Sequence, residues 1–133
     1  MTDEPLRATI SQKAILFGPE GDVLLLRGDA GWEFPGGRIG ADETPLEGLR
    51  REIREETGLA VSVGQPVHTV AWENSEGQGR FGVVYRCQTE QRRVRLSEEH
   101  DDWLWLPPAG ALDRLVGAGV AALERALATE GEL

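Results

Sequence analysis

The sequence predicts a mixed α/β domain, a mixed sheet with helices packed on both faces, and three observations predict it. Short apolar runs of strand length are separated by glycine- and proline-rich turn signals. A long helix carries start and stop signals at residues 44 and 58. A second apolar stripe of helical period lies near the C-terminus. At 133 residues, with no internal repeat, low-complexity tract or dividing linker, one compact domain over 1–133 is expected.

Taken in order, Ala14 to Phe17 and Val23 to Leu26 are apolar runs flanking Gly18-Pro19-Glu20-Gly21-Asp22, and together they read as a hairpin. Gly28 to Gly31 is a second turn. Trp32-Glu33-Phe34 is extended, since Pro35 keeps Phe34 out of helical space. Gly36 and Gly37 permit a tight backbone turn next to a ligand. Thr44 is an N-cap, Pro45 takes the first helical position, and Glu47 completes a T-x-x-E capping box. Leu46, Leu49 and Ile53 form the apolar stripe of this helix, and Gly58 is its left-handed stop. Gly48, costly in a helix interior, reads as room for a metal or phosphate. Val61 to Val63, Val67 to Trp72 and Arg80 to Cys87 are strands, the last two joined by the polar loop Asn74 to Gly79. Trp103 to Leu106 is a further strand, broken by Pro107-Pro108, with its tryptophans on opposite faces. Val116, Val120, Leu123 and Leu127 then form the second amphipathic helix, weakened at its start by Gly117 and Gly119.

A net charge of −9 argues against binding a nucleic-acid polymer, which needs Lys and Arg to neutralise phosphates. It leaves open a small phosphorylated substrate. The first residues carry acids at positions 3 and 4 and no long apolar core, so they do not read as a secretory signal, and no apolar run is long enough to span a bilayer. With Cys87 the single cysteine, no internal disulfide forms; a reduced, cytoplasmic setting is expected, with Cys87 a buried strand residue.

The chemistry concentrates in Arg51-Glu52-Ile53-Arg54-Glu55-Glu56. Glu52, Glu55 and Glu56 stand at i, i+3 and i+4, within an arc of roughly 100° on a helix. Like charges so close repel unless a cation offsets them, and an oxygen-only set favours Mg²⁺ or Mn²⁺. Arg51 can pair bidentately with a carboxylate and hold the cluster in shape. Backbone N–H groups at Gly36 and Gly37, with Arg38 at the edge, are candidate phosphate contacts.

Gly37, Glu43, Arg51, Glu52, Ile53, Glu55, Glu56, Gly58 and Leu59 fill every specified position of the Nudix box, G-x5-E-x7-R-E-U-x-E-E-x-G-U, and Trp32 to Gly37 resembles the W-x-x-P-G-G lead-in usual in that family. The resemblance implies an α/β/α sandwich that hydrolyses a nucleoside diphosphate linked to another moiety, with water attacking phosphorus. It makes Glu52, Glu55 and Glu56 the metal ligands, Arg51 the orienting arginine, and Glu43 a support for metal or water. Glu98-Glu99-His100-Asp101 resembles the "E-H … W" region where many members place an extra glutamate. Glu99 is therefore taken as a further ligand or the general base, ahead of Glu98, with Glu52 a rival.

Simpler roles stand beside these. Glu43 fits a first-turn helix acid, and Glu98 and Glu99 fit ordinary loop acids. His68 and His100 lack partners at ligand spacing and read as surface or structural histidines. Trp72 is a candidate to stack on a base, with packing the alternative for it and for Trp32. Two other classes compete with the enzyme: a Nudix-fold nucleotide sensor, which usually shows eroded box glutamates, and a structural domain with an incidental acid cluster. Within the enzyme class, the proline and tyrosine markers of ADP-ribose and dinucleoside-polyphosphate hydrolases are absent, since those positions hold Asn74 and Ser75 to Gly77. That leans towards the MutT-like group, acting on nucleoside triphosphates or related small molecules as a monomer or homodimer.

Overall fold

The computed structural model describes residues 3–129, so the first two residues of the N-terminal segment and the last four of the chain lie outside it. Seven strands and three helices follow one another as β1 (Ala8–Phe17), β2 (Val23–Gly28), β3 (Gly31–Glu33), β4 (Gly36–Arg38), α1 (Pro45–Thr57), β5 (Ser62–Glu73), β6 (Gly79–Gln88), β7 (Asp102–Leu106), α2 (Pro108–Arg114) and α3 (Ala118–Ala128). The sheet runs β3-β2-β1-β6-β5, with β4 also paired to β1 and β7 to β2. It is mixed: β1 and β6 are parallel, and the other pairs are antiparallel.

Alternation along β1 divides the core in two. Ile15 and Phe17 face one side and pack with Val84, Ala111, Leu123 and Ala126, under α2 and α3. Ala14 and Leu16 face the other and pack with Leu49, Ile53 and Cys87, under α1. Helices on both faces of a mixed sheet are as expected from the sequence. Among the described residues no helix is long and apolar enough to cross a membrane.

Helix α1 begins where its signals put it. Thr44 Oγ1 accepts the Glu47 N–H at 3.2 Å, and Gly58 closes the helix at φ 75°, a left-handed conformation that favours glycine. Leu49 and Ile53 are fully buried, whereas Leu46, in the first turn, stays exposed. Gly48 makes room for protein, not for a ligand: a Cβ there would press on Ile39 Cγ1 at 3.2 Å and on Glu43.

Other elements differ from the sequence expectation for identifiable reasons. Gly36 and Gly37 are not a turn; they pair with Lys13 and Gln12 as a short strand. Val63 and Val67 to Trp72 belong to one strand, β5, which starts just after Val61 and is kept continuous past Pro66 by register shifts on either side of it. Pro lacks a ladder donor and is tolerated at bulges and sheet edges, and β5 is an edge. Pro107-Pro108 ends β7 but also starts a helix, because Pro fits the first helical position of α2. Gly117 separates that helix from α3, which starts at Ala118, so Val116 stays outside the apolar stripe and is exposed. Trp103 and Trp105 stand opposite Leu26 and Leu24, both in the α1-side core, so the tryptophans share one face and do not lie on opposite faces as expected, because residues two apart in a strand point the same way. Trp105 packs on that core and Trp103 is exposed.

Candidate active site

Arg51 organises the acids of α1. Its guanidinium forks onto Glu43, with Nη2 2.9 Å from Oε1 and Nε on Oε2. Nη1 reaches Glu52 Oε1 at 3.1 Å and Glu55 Oε2 at 3.1 Å, and Nη2 donates to the Arg38 carbonyl at 3.3 Å. One cation thus ties three carboxylates to the loop before the helix, as a bidentate arginine can. Glu43 is held below the usual carboxylate range by Arg51 and by the Gly40 N–H at 2.7 Å. Its contacts make it the partner of Arg51. The Arg38 side chain is exposed.

The three acids predicted to share one arc divide by depth. Glu55 is exposed. Glu52 is mostly covered, and a Cβ on Gly37 would lie 2.6 Å from its carboxyl carbon, so the glycine lets this acid lie against β4. Glu56 is buried, and its Oε1 accepts the Gly36 N–H at 2.8 Å. That backbone donor, expected to meet a phosphate, is engaged by Glu56.

The segment after β6 completes the site. Its backbone N–H groups at Ser97 and Asp101 donate to the carbonyls of Glu56 and Arg27, at 3.4 and 3.1 Å. Between these ties Glu99 and His100 meet Glu56, with one ligand atom from each residue within 4.8 Å of the others. Glu98 is exposed and outside this group. His100 is buried, contrary to a surface histidine. Its Nε2 is 3.2 Å from Glu33 Oε2, and Glu33 Oε1 accepts from Lys13 Nζ at 3.0 Å. Its Nδ1 has no hydrogen-bond partner and lies 4.0 Å from Glu56 Oε2, too far for a hydrogen bond. The signal for His100 in the sequence is its place beside Glu99; nothing in the spacing brings in Glu33 or Lys13.

Burial pushes the Glu56 carboxyl up to about 7, and Glu99 and Glu52 push the same way against the Gly36 N–H and Lys13. Burial also raises Glu52, with Glu55 and Glu99 adding to it against Arg51. Crowded, desolvated carboxylates beside an unpartnered imidazole nitrogen fit a divalent cation, which would reverse both shifts. Next to this cluster lies a cavity of about 380 Å³, within the size range of small-ligand pockets. Lys13 and Glu33 line it, with Trp32, His68, Val70 and Trp72. Trp72 is half-exposed at its wall, a position open to ligand, and Trp32 also packs on the core.

The family model described as the NUDIX domain matches residues 8–126. The chain belongs to the NUDIX family. Along the NUDIX domain it is 34% identical over 116 residues to a MutT-like protein of Streptomyces ambofaciens, covering 86% of this chain and 73% of that one. It is 33% identical over 113 residues to an RNA pyrophosphohydrolase of Halorhodospira halophila, covering 69% and 62%. It spans about half the length of RNA pyrophosphohydrolases of Xanthomonas, 49% in one strain of X. campestris. Among solved structures, the MutT protein from Methanosarcina mazei Go1 superposes with a TM-score of 0.82 at 26% identity, covering 97% of this chain and 99% of that one. Family and named relatives support a hydrolase acting on pyrophosphate bonds.

Proposed function

We propose that this NUDIX domain is a divalent-metal-dependent hydrolase that cleaves a pyrophosphate bond in a nucleoside triphosphate or other nucleoside-diphosphate-linked small molecule. One observation carries the reading: Glu56, Glu99 and His100 converge beside a cavity of ligand size, and Glu52 bears on the same point. Glu52, Glu56 and Glu99 are the proposed holders of Mg²⁺ or Mn²⁺, with Glu55 completing the set and His100 Nδ1 facing the same space. A bound cation supplies neutralisation of the diphosphate charge and a lowered pKa for water.

The protein's part is to place and deprotonate the attacking water. Glu52 is restrained by Arg51, and Glu56 by Gly36. Glu99 sits exposed at the rim, its N–H on Ser97 Oγ at 3.4 Å and its side chain hydrogen-bonded to Glu56. Its place between solvent and the buried acid favours Glu99 as the base that takes the proton while the water oxygen bonds to phosphorus and the anhydride oxygen leaves. Gly37, Arg38 and Lys13 border the path of the phosphates, and Trp72 borders that of the base.

Retention of every box glutamate speaks against a sensor without turnover. A second reading rests on the relatives named RNA pyrophosphohydrolase, since the 5′ end of a triphosphorylated RNA presents the same anhydride. The net charge of −9 favours a small substrate over a polymer. The test is a panel of nucleoside triphosphates, ADP-ribose, a dinucleoside polyphosphate and a 5′-triphosphorylated oligoribonucleotide, with Mg²⁺ or Mn²⁺. Turnover is expected on a mononucleotide, with kcat falling at least about a hundredfold in Glu55→Gln and in Glu56→Gln. Metal-independent turnover, or wild-type rates in both variants, refutes the assignment. Turnover of the oligonucleotide alone selects the second reading.

A further inference from the structure

One residue in the wall of the cavity beside the acid cluster carries a polar atom that the hydrolytic chemistry does not use. His68 Nδ1 is buried and has no hydrogen-bond partner. Native proteins leave few such atoms unpaired, because each forfeits hydration without replacement. Here the atom belongs to a residue in the wall of a largely apolar cavity that also exposes Trp72.

His68 occupies that wall by the alternation that Val63 sets, across two register shifts. Pro66 stands opposite Tyr85, and His68 opposite Val84, so two steps along β5 meet one step along β6. Residues directly opposite in an antiparallel pair share a face. Val84 belongs to the core beneath α2 and α3, and so does Val67. The extra residue therefore puts Val67 and His68 on the same side, and His68, Val70 and Trp72 all line the cavity. A matching shift between Val63 and Pro66 cancels this one in parity, so His68, Val70 and Trp72 face the cavity as alternation from the α1-facing Val63 requires, and Val67 is added to their side.

We propose that His68 is the specificity-determining residue of the substrate pocket: a half-turn of its ring about Cβ–Cγ brings Nδ1, covered in the free protein, to the polar edge of the substrate's nucleobase, in the cavity walled by Trp32, Val70 and Trp72. Glu33 joins this cavity to the acid cluster, touching Lys13 with one oxygen and His100 with the other. A base seated against His68 thus places its phosphates towards Glu56 and Glu99. The inference rests on the pyrophosphohydrolase reading for its substrate but not for its binding site.

The experiment measures kcat and KM for ATP, GTP, CTP, UTP and base-free ribose 5-triphosphate, in the wild type and in His68→Phe and His68→Asn. Phe keeps the ring and loses both nitrogens; Asn keeps a hydrogen-bonding atom near the Nδ1 position. The wild type is expected to spread its kcat/KM over at least about tenfold among the four bases, the scale of one hydrogen bond. In His68→Phe this spread narrows to about threefold or less, mainly through KM, and His68→Asn restores part of it. The base-free substrate loses at least about fivefold less than the preferred nucleotide. Equal wild-type rates on all four bases overturn the proposal. So does an unchanged spread in His68→Phe, or an equal loss on the base-free substrate.

Nucleoside titrations followed by tryptophan fluorescence and by the His68 imidazole ¹⁵N resonances decide the binding question separately. If no nucleotide is hydrolysed, the enzyme reading fails. Nucleoside binding that shifts Nδ1 and weakens about tenfold in His68→Phe would then still sustain the pocket. Absence of binding, or binding indifferent to both variants, overturns it.

Discussion

Glu56→Gln is expected to make the metal-free protein more stable while disabling it. A carboxyl that titrates at 4.5 when unfolded and at about 7 when buried in the native state binds more protons folded than unfolded between those values. Stability then falls as pH rises through that window and stays lowered above it. The difference corresponds to about 3 kcal/mol at pH 8, fully relieved below pH 4.5. Gln removes the charge, and its amide oxygen can still accept the Gly36 N–H. In EDTA at pH 8 the variant should melt about 10 °C above the wild type, and at pH 5 the advantage should shrink to about 1 kcal/mol or less. Saturating Mg²⁺ should reverse the order, since only the wild type gains binding energy from the ion. Calorimetry at two pH values, with and without metal, reads all four conditions. A metal-free variant no more stable than the wild type at pH 8, or an advantage independent of pH, would refute the reading of Glu56 as a desolvated charge awaiting a cation.

The arginine network and the glycine beneath Glu52 give two further expectations. Arg51→Lys cannot fork onto Glu43 while reaching Glu52 and Glu55, so kcat should fall about tenfold or more and the metal concentration for half-activity should rise, both measurable by steady-state kinetics across a Mg²⁺ series. Gly37→Ala sets a methyl 2.6 Å from the Glu52 carboxyl at a position with no positive φ. The displaced acid should cost up to about a hundredfold in kcat with the circular dichroism spectrum unchanged; an unaltered kcat would remove Glu52 from the site.

What could be read from the sequence was what short-range rules determine. The cap at Thr44, Pro45 behind it, the Leu49–Ile53 stripe and the stop at Gly58 lie within a few residues of one another, and α1 forms as they require. The pairing of Arg51 with a carboxylate is local in the same sense, since Glu52 and Glu55 are its helical neighbours. Depth was not local. Three acids on one arc look equivalent until the sheet is in place, and only then does Glu56 lie under β4 while Glu55 faces water.

The same limit explains His100. No residue near His100 in sequence is its partner. Glu33 is held 67 positions away, brought close by the pairing of β2 with both β3 and β7. For His68 the face was legible from alternation: Val63 faces the α1 side and His68, five residues on, faces the other, because the two register shifts around Pro66 cancel in parity. What alternation does not give is Val67 on the same side as His68. A proline inside an otherwise good strand is commonly treated as a defect to be tolerated. In β5 it sits between two shifts that cancel in parity, so His68, Val70 and Trp72 keep the face that alternation from Val63 gives them, and Val67 is the residue displaced onto their side. Deleting Val67 should therefore regularise the ladder with His68 still opposite Val84, and the wall of the cavity should keep its imidazole and its indole.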